Sequence, residues 1–289
     1  MTTTINALTT IQADHAFGSH LSLEAVRHRA PAVFAANAAA RVTRAYRFIS
    51  TSQVVGALIE AGFVPTDARQ GRSKVGDGAC YARHLIRFRH ARESVTLVDA
   101  IPEIVLVNAH DGTSAYQLRA GLFRPLCTNG LIARIGDFGF ISVPHRASVV
   151  ADVVEGALRL TAQFQILGGT VRAMAHRVLS PLERLGFGEA ALAIRYPHVD
   201  RLPYAAERVL EARRTGDAGD SLWQVYNVVQ ENLIRGGVSY QSARGRAMRT
   251  RRLGAIREDV RINTALWQLA ERLLPPPGTT ETLSGARMA

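Results

Sequence analysis

Cys80 and Cys127 are the only cysteines in a chain of 289 residues. That is too few for a disulfide framework, and no CxxC pair offers a structural zinc site. A reduced, cytoplasmic setting is therefore expected. Lysine is scarcer still: Lys74 stands alone. Aromatic residues make up only 7% of the chain, so aliphatic side chains must build most of the core. No stretch approaches about eighteen uninterrupted apolar residues, the length a membrane helix needs, and no membrane partner is expected. The opening MTTTINALTTIQADHAFGSH has neither the charged start nor the continuous apolar run of a secretory signal. Also missing are the GxxxxGK[ST] phosphate loop, a GxGxxG turn after a strand, HExxH and GxSxG. Nucleotide hydrolysis on a phosphate loop and dinucleotide redox chemistry are left without support, and no cofactor is expected.

What the chain does have is an excess of base. The formal net charge is +11, nearly all of the positive charge being arginine. Such a balance favours polyanionic partners, because phosphates neutralised by side chains release their condensed counterions. A GC-rich genome explains arginine in place of lysine, but not the surplus over acids. The length allows one large or two modest domains with a proper core.

Patterning predicts an α+β protein: a mostly antiparallel sheet with a long packed helix, followed by a helical C-terminal part. Residues 1–40 read as a peripheral segment, with a short helix over Ser22–Arg29 stopped by Pro31. Region 41–147 reads as sheet with one helix. It opens with a strand over Arg41–Ile49. A helix capped by Ser50, Thr51 or Ser52 then carries Val54, Val55, Leu58 and Ile59 on one stripe and ends at Gly62. Val64–Ala79 reads as extended chain broken by the basic loop Arg69–Lys74. Strands are expected at Tyr81–His90, Ser94–Val98, Glu103–His110, Ala115–Leu126 and Leu131–Ile135. Phe138–Val143 should pair back on the last of these across Gly136-Asp137. Region 148–274 reads as helical and packed on the sheet. Ser148–Leu167 should be one long amphipathic helix ended by Gly168-Gly169. Ser180-Pro181-Leu182-Glu183 is a capping box. Further helices are expected at Pro203–Arg214, Leu222–Ile234 and Arg261–Leu274, and residues 275–289 read as a disordered tail.

Two basic features stand out. Along Tyr81–His90 the odd positions Tyr81, Arg83, Leu85, Arg87 and Arg89 share a face, which suits phosphate contact with Tyr81 available for base stacking. Gln241–Ile256 holds Arg244, Arg246, Arg249, Arg251 and Arg252 without one acid, and reads as an extended phosphate-binding arm. Three other sets carry chemistry-bearing residue types. His110, Asp111 and His145 suit a divalent metal or acid–base work, and would serve a metal-dependent nuclease. Cys127 with a histidine could be a thiol nucleophile, though it adjoins the tight turn Thr128-Asn129-Gly130. Asn227 and Glu231 put polar groups on one stripe of an apolar helix and read as ties between elements.

Three blocks, PEIVLVNAHDGTSAYQLRAGLFRPLCTNGL, LWQVYNVVQENLIRGG and NTALWQLAERL, resemble the plasmid- and phage-borne proteins of domain of unknown function 932. The resemblance runs from about Arg44 to Leu274, with Ala109 where a serine is expected in the NSHDG motif. It brings no established activity and no catalytic residues. It implies a mobile-element setting, in which DNA recombination or protection is more at home than metabolism. The order of helix, strands and long helix is also similar to single-strand annealing proteins, at the level of fold alone. The expectation is a homo-oligomeric protein that binds single-stranded DNA, annealing strands without a nucleotide cofactor. The alternatives are the metal-dependent nuclease and an oligomeric anti-host-defence factor with an acidic protein partner.

Overall fold

The structure, a computed structural model, describes residues 20–43, 46–72, 76–91, 97–125, 130–132, 140–145, 148–199, 202–242 and 244–275. The chain is α+β, and it divides into two units. The first comprises Met1–Gly169 with Arg252–Thr264, and the second Thr170–Arg251 with Ala265–Ala289.

The first unit is built on an antiparallel sheet. Its strands are β1 (Phe63–Gln70), β2 (His84–His90), β3 (Ile101–Asn108), β4 (Tyr116–Phe123), β5 (Gly130–Ile132) and β6 (Phe140–Val143). Their order is β1-β2-β3-β4-β5, with β6 also on β4. The expected pairing of the last two strands with each other is corrected. Both use β4, with β5 opposite Gly121–Phe123 and β6 opposite Tyr116–Arg119. The expected strand at Arg41–Ile49 is also corrected, since its described residues lie in turn and coil. Most of Ser94–Val98, together with Cys127-Thr128-Asn129 and Lys74, falls outside the described residues.

Helix α1 (Leu23–Arg29) begins where Ser22 Oγ accepts from Ala25 N. Helix α2 (Thr51–Glu60) buries Val54, Val55 and Leu58 of the expected stripe, while Ile59 stays exposed. Gly62, at φ +91°, takes the left-handed turn into β1 that a side chain would oppose. Helix α3 (Val149–Ala162) crosses the sheet face that carries Leu118. Gly156 makes the closest approach, and a Cβ there would lie 2.9 Å from Leu118 Cδ1 and 3.2 Å from Ile141 Cδ1.

A single helix to Leu167 is not what forms. The chain turns at Gln163 and restarts as α4 (Phe164–His176), which runs through Gly168 and Gly169. Glycine lowers helix propensity by only about 1 kcal/mol, a cost that packing overrides. Helix α3 groups with the sheet it covers, in the first unit.

The opposite sheet face carries the odd positions of β2, which were expected to suit phosphate contact. Instead Leu85, Val105, Val107 and Ile132 pack with Ile256 and Val260 from the start of α8 (Ile256–Glu271). Each such burial contributes roughly 1.5–3 kcal/mol.

The second unit contains α5 (Pro181–Arg195), α6 (Glu207–Leu210) and α7 (Leu222–Arg235). The Ser180–Glu183 capping box forms as the motif predicts. The helix expected at Pro203–Arg214 shrinks to α6. Helix α7 is buried almost all round, with Tyr226 between Trp223 and Trp267 at ring distances of 6.0 and 5.8 Å. Gly236 and Gly237, both at positive φ, release the chain into a two-stranded hairpin of β7 (Ser239–Gln241) and β8 (Ala247–Arg249). Among the described residues no helix is long and apolar enough to cross a membrane.

Candidate functional site

Two places gather chemistry-bearing side chains: the first lies within the first unit and the second, Arg252 apart, within the second. The first is a buried polar knot under α2. Alternation along β3 turns Asn108 to the α2 side, and His110 follows it inward just beyond the strand end. His84 joins them from β2, opposite Asn108 in the ladder. All converge on the Thr51 hydroxyl: His84 Nε2 at 2.8 Å, His110 Nε2 at 3.0 Å and Asn108 Nδ2 at 3.1 Å.

The donors fix the directions. Ala82 O can only accept, so His84 Nδ1 donates to it at 2.9 Å and His84 Nε2 must accept from Thr51. Thr51 in turn accepts from Asn108 and from His110. Asn108 Oδ1 accepts a hydrogen bond from His145 Nε2 at 3.2 Å, and the Tyr116 hydroxyl donates to Ile49 O at 2.9 Å.

This arrangement keeps the imidazoles neutral. Burial pushes His84 down to about 4, the Ala82 carbonyl opposing it in part. Burial, then His84 and His145, push His110 down to about 3. A second proton on His110 would sit at Nδ1, which is buried without a partner. His145 is also lowered by burial. Burial and the Asp111 charge push Tyr46 up to about 12, and burial raises Tyr116.

A threonine hydroxyl on an imidazole steered by a carbonyl has the form of a nucleophile and its base. Here Thr51, His84 and His110 are each no more than 1% exposed, so a substrate has no access. The knot clasps α2 to the sheet. Asp111 does not complete a metal site with His110 and His145, since it faces outward to Arg41 Nη2 at 2.6 Å and to Thr113. Burial alone would raise its pKa, but the Thr113 and Arg41 hydrogen bonds bring it below the usual range. Among the described residues no three His, Cys, Asp or Glu side chains are placed to hold a metal ion.

The β2 arginines are not the open row that alternation suggests. Arg87 Nη1 lies 3.0 Å from Glu103 Oε2, and Arg89 Nε 2.9 Å from Glu103 Oε1, with Glu103 fully buried and Arg87 only 4% exposed. Arg89 also lies over the Phe123 ring. Arg83 is half-buried and donates to Thr113 O at 3.3 Å, and Tyr81 donates its hydroxyl to Asn37 Oδ1 at 3.0 Å. Phosphate contact by Arg87 and Arg89 therefore finds no free charge there. Glu103, from the next strand, has taken it.

The second place is the hairpin. Arg244, Arg246, Arg249, Arg251 and Arg252 are all exposed. Arg249 Nε donates to Ser239 Oγ at 3.3 Å, and none of the five forms an ion pair with a described carboxylate. The expected arm is shorter and more ordered than a mobile loop. Gly237 N donates to Thr250 O at 2.8 Å, Thr250 N to Val238 O at 3.0 Å and Ser242 N to Arg246 O at 2.9 Å. Gly245, at φ +71°, makes the tip. Beside the hairpin an open groove of about 790 Å³ is lined by Tyr204, Arg208, Tyr240 and Met248, among others.

Glu231 acts as a tie to another element, whereas Asn227 bonds within its own helix. Asn227 Nδ2 donates to Trp223 O at 2.6 Å, and Glu231 accepts from Arg214 at 2.6 and 2.9 Å and from Arg235 at 2.8 Å. Burial would raise the Glu231 pKa, and these guanidiniums bring it down instead.

Sequence reading missed Thr51 as a hub, since it passes for a helix cap, and missed Tyr204 and Tyr240. The one available signal was Tyr240 standing next to the acid-free arginine block.

Comparison with known proteins gives a family and no activity. The chain is 37% identical over 244 residues to UPF0380 protein YafZ of Escherichia coli strain K12, covering 84% of this chain and 88% of that one. It is 36% identical over 244 residues, with the same coverage, to UPF0380 protein YfjQ of the same organism. No solved structure matches the chain. The family model for domain of unknown function DUF932 matches residues 38–267, which contain both the buried knot and the arginine hairpin, and the chain belongs to that family.

Proposed function

We propose that this protein binds nucleic acid, single-stranded DNA above all, through the arginine hairpin of its second unit and without a nucleotide cofactor. One observation carries the reading: five exposed arginines within nine residues have no carboxylate among the described residues to neutralise them. A guanidinium left in water beside others of its sign gains most from a polyanion, since binding removes the mutual repulsion and releases counterions. The hairpin holds Arg244, Arg246 and Arg249 on a short ordered ribbon, which lowers the entropy cost of engaging a phosphate chain. Strand annealing, homo-oligomerisation, a cytoplasmic location and service to a plasmid or phage fit this reading and belong to the same proposal.

The test is fluorescence anisotropy of a labelled 20-nucleotide single strand across a series of salt concentrations. Each phosphate contact on single-stranded DNA contributes a log–log slope of about −0.7, so five contacts give about −3.5. Changing all five arginines to glutamine should bring the slope close to zero. A flat response in the unaltered protein, or an unchanged slope in the variant, overturns the assignment.

A further inference from the structure

The groove beside the hairpin holds features that phosphate binding alone does not require. Tyr204 is buried, and its ring lies 5.1 Å from that of Tyr240 at an interplanar angle of 36°. Tyr196 meets Tyr204 edge-on at 6.2 Å. Tyr204 is thereby held from behind, and it braces Tyr240, which stays half-exposed on β7. Directly across the ribbon from Tyr240 stands Met248, 44% exposed. Arg249, next to Met248 along β8, lines the same groove, as does Arg208, which pairs at the surface with Glu211. An exposed tyrosine and methionine beside cations make a flat apolar shelf with charge at its edge. A nucleobase has a π-face for such a shelf and a phosphate for the neighbouring arginine. A base paired inside a duplex keeps both faces stacked on its neighbours and cannot use it.

We infer that Tyr240, backed by Tyr204 and flanked by Met248 and Arg249, is a base-stacking subsite that takes one unpaired nucleobase of a single strand. The inference rests on the nucleic-acid reading above and goes beyond it by naming where the base sits and why a single strand is preferred. Because Tyr204 already fixes the ring, stacking on Tyr240 orders little of the protein.

The experiment compares a 20-nucleotide thymidine oligomer with an abasic 20-mer of equal charge, against the full chain and its Tyr240→Ala and Tyr240→Phe variants. The unaltered protein should prefer the thymidine oligomer by about ten-fold, the effect of one stacked base. Tyr240→Phe should keep that preference. Tyr240→Ala should bring the ratio close to one and leave the salt slope as it was. Equal affinity for the two oligomers in the unaltered protein overturns the subsite, as does a preference that survives Tyr240→Ala. If only the subsite is wrong, both oligomers still bind with a steep salt dependence. If neither binds at low salt, the nucleic-acid reading falls with it.

Discussion

On β2, Arg87 and Arg89 turn onto Glu103, a carboxylate without exposure of its own, whereas the hairpin arginines stand in water with no described acid against them. Both sets look alike in the linear chain, as basic positions with an aromatic nearby. Glu103 makes the difference. It sits only 14 residues beyond Arg89 in the chain but reaches it across a strand pair, whereas no carboxylate among the described residues pairs with the hairpin. An arginine's role is decided by the acid the fold delivers to it. A buried guanidinium is part of the architecture, and an unpaired one on a ribbon is available to a partner.

The sharpest way to break this contrast is to remove the acid. Glu103→Ala takes the buried carboxylate away from two largely buried guanidiniums, and should lower the free energy of unfolding by about 3–5 kcal/mol, measured by urea denaturation. A loss under about 1 kcal/mol would mean that the Glu103 pairs contribute no more than surface ion pairs do.

Next in size is an acid effect from the neutral histidines. His84 is held near 4 and His110 near 3, while an unfolded chain titrates near 6.5. Between these values the unfolded state binds more protons, so stability present at neutral pH is lost as pH falls from about 6.5. His84 alone should account for about 3 kcal/mol by pH 4. Above about pH 5, where most carboxylates stay ionised, His84→Gln should flatten the dependence of the urea midpoint on pH. An equally steep curve in that variant would remove His84 from the account.

The smallest effect completes the comparison. Changing any one hairpin arginine to glutamine should move stability by less than about 0.5 kcal/mol, because each is exposed and touches little. A larger loss would show that the ribbon is held by its charges.

Much of the fold could be read from local chemistry. Ser22, the Ser180–Glu183 capping box, Gly62 and Gly236 sit at element ends as their types demand, and β2, β3 and β4 overlap the stretches patterned as strands. What could not be read depends on distant chain. The odd face of β2 looked open to a phosphate chain because Ile256 and Val260, which cover part of it, lie some 170 residues away. The expected stop at Gly168-Gly169 failed because those glycines lie inside α4, and the break falls at Gln163 instead. At the site, the five hairpin arginines were legible as an acid-free block. The role of His110 was not, since β3 spacing puts it inward but only Thr51, 59 positions earlier, explains what it does there.

Gly156 shows how small the margin between helix and sheet can be. One hydrogen, in place of the carbon every other residue carries, sets the depth at which α3 seats over Leu118 and Ile141. The core of the first unit is gauged at that point, and a single added methyl group would be felt as a wedge along the whole length of the helix.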